Sequence, residues 1–516
     1  MKLNLVLIVC FFSFVASAAR PKAYSFKQYL AEVQRPVAIA EADYPYFDEK
    51  MSATIKPQLD IEAQRKPAQM SELQESNMSP DAQEVIKSIA AIDVSDENPK
   101  ATDELDNLIN LYLDKKYATL SPDAKLIVSQ LRSLKPFRGF LWRFRPYLDQ
   151  ARITQTAALT SFKNLAANLR WLLRSPQAKL AFRYVSEPYA EGDVLAPAID
   201  SEGKIQYWLA SEVLPAFSKT AKMLHEIPVD SAKPLVWDNR LLMGPESFKD
   251  GIDRFKWTGE VEKQLLIASY ENSISQILFF NSYSIYNLLE LSVDLGKLFG
   301  VDSLPIPFTE AQGVTMAQYQ SVIMKSKYEE FGKKISGCTY ANKACMEMSF
   351  KYLKSATERT YDVWKIAQRR DGNNFFALNT EYAQVDIARG NINFENIKSL
   401  VNRKTMLRSL ATGEVAVFDL RAFYMPNPPA DLKALLPTGF DNTKDREKSI
   451  QLGKLTKTES YRNFFFGSPL TWKSVEPYKS FLPNVTSGSD VLQAGRVLAH
   501  ATAGIVRIPG LTLAEQ

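Results

Sequence analysis

From about residue 102 to about 370, apolar side chains recur every three or four positions, the spacing that lays a single stripe along an α-helix. Several starts are marked. SPDAQEVIKSI at 79, SPDAKLIVSQL at 121 and SPQAKLAFRYV at 175 each offer a serine to cap free N–H groups and a proline for the first helical turn. Their unequal spacing argues for recurrent capping chemistry rather than a solenoid repeat. The longest pattern runs from Thr258 to Phe299. Gly313 to Ser336 and Lys343 to Arg370 predict a further helix pair. In VLAPAIDSEGKIQYWL, the Asp200-Ser201-Glu202-Gly203 cluster between two strand-like runs predicts a short β-hairpin.

Beyond Asp371 the texture changes to shorter elements with more Gly, Pro and Asn. NINFENIKSLVNRKTMLRSL predicts a helix, EVAVFDLRAFYM a strand or short buried helix, and SDVLQAGRVLAHATAG a last helix ending at Gly504. Before residue 100 the pattern is weak. Residues 24 to 110 hold 17 acids and 8 bases with few long apolar runs, which predicts a weakly ordered acidic leader. The expected fold is therefore mainly α. A multi-helix body (101–370) carries a small β-hairpin, and it is flanked by the leader (19–100) and a mixed C-terminal region (371–516).

The first eighteen residues, MKLNLVLIVCFFSFVASA, form a different pattern. A basic Lys2, an apolar run from Leu5 to Val15 and Ala16-Ser17-Ala18 predict a signal peptide (1–18) and a periplasmic or secreted protein. The apolar stretch 277–299 is interrupted by Asn281, Asn287, Glu290, Asp294 and Lys297, so it predicts a core helix and no transmembrane segment. Outside the cytosol, the only cysteines beyond the signal, Cys338 and Cys345, are expected to pair as a staple between two helices. They lack the further ligands a tetrahedral zinc site requires, and their spacing is not that of a redox C-x-x-C motif.

Composition adds little: 46% hydrophobic, 23% charged, net charge +5. The distribution of charge adds more. Residues 132 to 183 contain eleven bases and one acid, Asp149. Arg138, Arg143 and Arg145 alternate with Phe140, Trp142, Phe144 and Tyr147. Arg152, Lys163, Arg170 and Arg174 return to nearly one azimuth of a helix. Guanidinium and aromatic groups together suit an anionic lipid surface or a phosphate-bearing envelope polymer. The opposing expectation is internal: the acidic leader folds over the basic segment and neutralises it.

Sequence motifs for catalysis are missing. There is no HExxH, no G-x-S-x-G and no phosphate loop, and no cofactor or metal is expected. The two histidines, His225 and His500, fall where helices end. Paired carboxylates leave no local signature, so Glu187, Glu191, Asp193, Glu329 and Glu330 stand as candidates for an enzyme acting on polysaccharide. The leading expectation is an exported non-catalytic binding or scaffold protein docking on an anionic surface. The alternatives are that carboxylate enzyme and a purely structural assembly protein. Nucleic acid is a poor fit for an exported chain.

Overall fold

A computed structural model describes residues 24–35, 47–64, 77–95, 97–144, 176–188, 190–191, 194–230, 235–238, 254–291, 294, 322–369, 384–436, 439–440, 470–503, 505–506 and 508. Residues 1–18, read above as a signal peptide, lie outside this set, as do Arg145, Tyr147, Arg152, Lys163, Arg170 and Arg174.

The helices are α1 (Phe26–Val33), α2 (Glu49–Ala63), α3 (Pro80–Ala90), α4 (Ala101–Asn110), α5 (Pro122–Leu134), α6 (Phe140–Arg143), α7 (Pro176–Ser186), α8 (Glu202–Trp208), α9 (Leu214–Glu226), α10 (Glu260–Asn281), α11 (Cys345–Ala367), α12 (Gln384–Asn402), α13 (Leu420–Tyr424) and α14 (Gly488–Thr502). Strands occur only as antiparallel pairs among the described residues: β1 (Ala190–Glu191) with β2 (Val194–Leu195), β3 (Leu235–Asp238) with β4 (Phe255–Thr258), β5 (Thr339–Tyr340) with β6 (Lys343–Ala344), β7 (Thr405–Arg408) with β8 (Val415–Phe418), and β9 (Gly439–Phe440) with β10 (Leu470–Thr471). The protein is mainly α with small hairpins.

Helix α11 organises the interior. Met348 and Tyr352 pack into the N-terminal core, Met346 and Phe350 into the C-terminal core, and Val363 and Ile366 into a third cluster against Leu59 and Val261. A helix that must satisfy three neighbours is apolar on several sides, and its partner α10 is likewise buried along most of its length.

The described parts of the predicted leader are folded into this body. Tyr29 is fully buried; its hydroxyl donates to Gln206 and accepts the Ile285 N–H at 3.0 Å. Phe47 N donates to Ser355 Oγ at 2.8 Å. The averaged polarity of the stretch concealed a few side chains, Tyr29, Leu59 and Val85 among them, that are buried almost completely. Long-range hydrogen bonds supply what local hydrophobicity does not.

Four other expectations need correction. Asp200 to Gly203 is no hairpin turn: Ser201 caps α8, its Oγ accepting from Lys204 N at 3.3 Å. Asp, Ser and Gly serve both purposes, and here the cap prevails. The helix predicted from Thr258 to Phe299 begins after β4 and stops at Asn281, after which Ser284 N donates to Lys333 O at 2.8 Å instead of continuing the helix. Residues 322–336 are mostly turns with a short 3-10 element at Ser326–Tyr328, so Cys338–Cys345 does not join two helices. The disulfide closes the β5–β6 hairpin, whose turn residues Ala341 and Asn342 both take positive φ, and fixes the start of α11. Finally, the helix predicted over 391–410 ends at Asn402 and gives way to β7.

The repeated SPDA caps meet face to face. Ser79 N donates to Asp123 Oδ2 at 2.8 Å, and Ser121 N donates to Asp81 Oδ2 at 2.6 Å. Each serine also caps its own helix, accepting from Ala82 N and Ala124 N. Burial works to raise the Asp81 carboxyl, but hydrogen bonds from Ser79 and Ser121 outweigh it and hold the group below its ordinary value. A depressed folded-state pKa stabilises the protein above the unfolded carboxylate value, and the contribution disappears as pH falls through the lowered one. Asp81→Ala is expected to cost about 1–2 kcal/mol at neutral pH. Urea unfolding of wild type and variant across an acid series should show the gap close as the pH drops.

Candidate docking surface

The described bases of the 132–183 segment point largely inward. Arg143 is only 7% exposed and forms a two-pronged pair with Glu212, at 3.0 and 3.1 Å, while its Nε donates to Pro197 O. Arg138 pairs with Asp103 and, at 2.8 Å, with Asp106. Lys135 donates to Asn110 Oδ1 at 2.6 Å, and Arg183 binds Glu187 and the Ser95 and Asn98 carbonyls. Arg138 is thus neutralised by acids of α4, within the body itself.

The aromatics follow the same course. Phe140 and Phe144 are buried, with the Phe140 ring stacked on Trp208 at 4.6 Å between centroids. Trp142 is half-buried beside them. Phe140, Phe144 and Arg143 therefore sit inside the fold, where they cannot form an exposed docking face. Aromatic side chains at helical spacing bury more apolar area here than a solvated stripe would allow. Of the carboxylates named from sequence, Glu187 pairs with Arg183, and Glu329 and Glu330 with Lys333 at 3.2 and 3.0 Å, while Asp193 and the Glu191 side chain lie outside the described residues.

A different basic and apolar surface stands out. In the β7–β8 hairpin, Met406 lies opposite Val417 and Arg408 opposite Val415, while Leu407 lies opposite Ala416 and Thr405 opposite Phe418. Side chains alternate across a strand pair, so Leu407 and Phe418 turn into the C-terminal core and are about 1% exposed. The opposite face carries Met406, Arg408, Val415 and Val417. Met406 is 68% exposed, and Leu410 at the tip is 70% exposed. Among the described residues, these two are the most exposed of the large apolar side chains, and Val415 is exposed beside them.

Charge on this hairpin is one-sided. Arg403, Lys404 and Arg408 are exposed and enter no ion pair among the described residues. Its acid, Glu414, is already matched by Arg496, with Nε to Oε2 at 3.1 Å, and that guanidinium holds the Glu414 carboxyl below its ordinary value.

Helix α14 braces the hairpin from within. Gln493 Nε2 donates to Val415 O at 2.7 Å, Arg496 holds Glu414, and His500 Nδ1 lies 2.7 Å from Ser409 Oγ. These three residues, at i, i+3 and i+7, share one helix face. Gly413 takes a positive φ of 75° to close the tip, and Ser409 Oγ accepts from Thr412 N at 3.0 Å. The exposed face is consequently held in one orientation.

This surface was missed in the sequence because the helical period of 391–402 was carried through to 410. The available signal was Thr412-Gly413-Glu414 followed by the alternating run Val415 to Phe418.

Among the described residues, no group of His, Cys, Asp and Glu could hold a metal ion, and no helix is long and apolar enough to cross a membrane. Comparison with protein-family models, curated proteins and solved structures finds no match.

Proposed function

We propose that the protein is an exported, non-catalytic binding or scaffold protein that docks on an anionic lipid surface through the β7–β8 hairpin. The observation that carries this reading is the coincidence of Met406, Leu410 and Val415 with three exposed cations, Arg403, Lys404 and Arg408, that enter no ion pair among the described residues. Each half is modest alone. A basic residue near an anionic leaflet contributes about 1 kcal/mol, and apolar area removed from water contributes about 25 cal/mol per Å². Stable attachment takes two such signals together. The five bases Arg145, Arg152, Lys163, Arg170 and Arg174, with Asp149 as their only nearby acid in sequence, offer a second basic segment to the same surface.

The test is co-sedimentation of the protein with vesicles of phosphatidylcholine alone or with added phosphatidylglycerol, over a salt series. The wild type is expected to bind the anionic vesicles and to lose that binding as salt rises. Arg403→Glu with Lys404→Glu and Arg408→Glu should weaken binding at least about tenfold, and Met406→Asp with Leu410→Asp by a similar factor. Wild-type binding by both hairpin variants would overturn the assignment. Loss in Arg152→Glu with Lys163→Glu and Arg170→Glu alone would move the contact to 145–174. Binding to a phosphate-bearing polymer and not to vesicles would replace lipid as the partner.

A further inference from the structure

A cavity of about 640 Å³ opens between α2 and α12, with α11 as its floor. Helix α2 runs parallel to α11: Phe47 meets Ser355 at one end, Ser52 donates to Asp362 in the middle, and Asp60 approaches Arg369 at the other end. Helix α12 runs antiparallel, with Glu395 accepting from Tyr361 and Asn391 Oδ1 from Trp364 Nε1 at 2.9 Å. Three segments distant in sequence therefore shape one cleft, of a volume usual for small-molecule sites.

Much of the charge lining it is already matched. Asp362 takes the Ser52 hydroxyl and lies 3.9 Å from Lys398 Nζ. Glu395 takes the Tyr361 hydroxyl and Lys365 Nζ at 2.9 Å. Burial works to raise Glu395, but those two partners outweigh it and keep its carboxyl below the ordinary value. An internally matched carboxylate with a lowered pKa suits a wall better than a proton donor. What remains is Glu49, Lys56 and Arg403, all exposed and without an ion pair among the described residues. Asp48 adds a second carboxylate next to Glu49 while capping Met51 N at 2.8 Å.

Glu49 and Lys56 are seven residues apart, two turns along the same face of α2. At 1.5 Å per residue they are separated by about 10 Å along the axis. An extended chain advances about 3.3–3.6 Å per residue, so the ends of a tripeptide are separated by a similar span. We infer that this cleft binds a short zwitterionic peptide, of about three residues, with its ammonium at Asp48 and Glu49 and its carboxylate at Lys56. Arg403, from the end of α12, supplies donors for a peptide carbonyl. The cleft adjoins the hairpin and shares Arg403 with it, but Glu49 and Lys56, which set the polarity of the site, lie on α2, and peptide binding does not depend on lipid docking.

Calorimetric titration of the full chain with trialanine tests this, beside N-acetyl-trialanine, trialanine amide and maltotriose as probes. Trialanine is expected to bind, and blocking either terminus should weaken binding about tenfold, or about 1.4 kcal/mol. Glu49→Lys or Lys56→Glu alone should abolish binding, and the double exchange, which reverses the polarity of the wall, should restore it. Failure of trialanine to bind at millimolar concentration would overturn the inference. Equal binding of the blocked peptides, or binding of maltotriose in their place, would do the same.

Discussion

Replacing Arg359 by methionine is expected to cost about 3–5 kcal/mol of folding stability, a large share of the 5–15 kcal/mol typical of a folded domain. Arg359 and Glu271 are both fully buried, on the two helices that pass through the middle of the molecule. The guanidinium donates twice to the Glu271 carboxylate, at 3.1 and 3.2 Å, and once to Gln264. Its flat face lies 4.8 Å from the Phe47 ring. Ser355 adds a donor to the same carboxylate at 2.7 Å. Taking two charges out of water is costly, and only their close mutual attraction and full hydrogen bonding offset that cost. Removing one partner leaves the desolvation of the other in place. The double replacement Glu271→Met with Arg359→Met should therefore recover most of the loss, because an apolar pair of similar volume has no such penalty. Urea unfolding of the two single variants and the double variant gives the coupling directly. Losses below about 1 kcal/mol in Arg359→Met would mean that the pair is not desolvated.

The same pair explains why part of the fold was legible in the sequence and part was not. Helix existence followed from periodicity, and the SPDA starts followed from capping chemistry, because both are local. Which helices meet is set by residues such as Arg359, Glu271 and Glu62, whose partners are tens to hundreds of positions away. A charged residue inside a helical pattern reads as solvated unless its partner is known. The stretch before residue 100 shows the same limit: its carboxylates Glu62 and Asp81 reach into other helices.

Basic residues failed in the opposite direction. Arg138 and Arg143 form part of a conspicuous run, yet Asp103, Asp106 and Glu212 lie against them in the fold. Arg403, Lys404 and Arg408 form no conspicuous run, and they are the ones left exposed without ion partners among the described residues. Local charge density is therefore a poor guide to which cations face outward. The relevant quantity is charge left over after packing, and that depends on three-dimensional neighbours. The Cys338–Cys345 link was legible because no other cysteine follows the first ten residues, but its role was not. Two positive-φ residues at the tip of a hairpin, Ala341 among them, are not what periodicity reports.

Gly259→Ala is expected to destabilise the protein by about 3 kcal/mol, through steric eviction of a buried carboxylate. Gly259 stands immediately before α10, and a Cβ placed there would lie 2.1 Å from Glu62 Oε1 and 2.6 Å from Glu62 Cδ. Its backbone is in an extended conformation with φ of −141°, so the penalty is one of space. Glu62 comes from the last turn of α2 and is almost fully buried. Its carboxylate accepts from Glu260 N at 2.5 Å and from Val261 N at 3.4 Å, two of the N–H groups that a helix start leaves without intrahelical partners. A negative group is also favoured there by the helix dipole. Displacing it would leave these donors buried beside an ion with nowhere equivalent to go, and would loosen α2 from α10. Shortening the intruding side chain should relieve the clash, so Gly259→Ala with Glu62→Asp is expected to be more stable than Gly259→Ala alone. Glu62→Asp by itself should be mildly destabilising. Unfolding midpoints for the three variants check the relation. If the double variant is as unstable as the sum of the two single changes, the two residues do not meet, and the cap that joins α2 to the central helix is wrongly assigned.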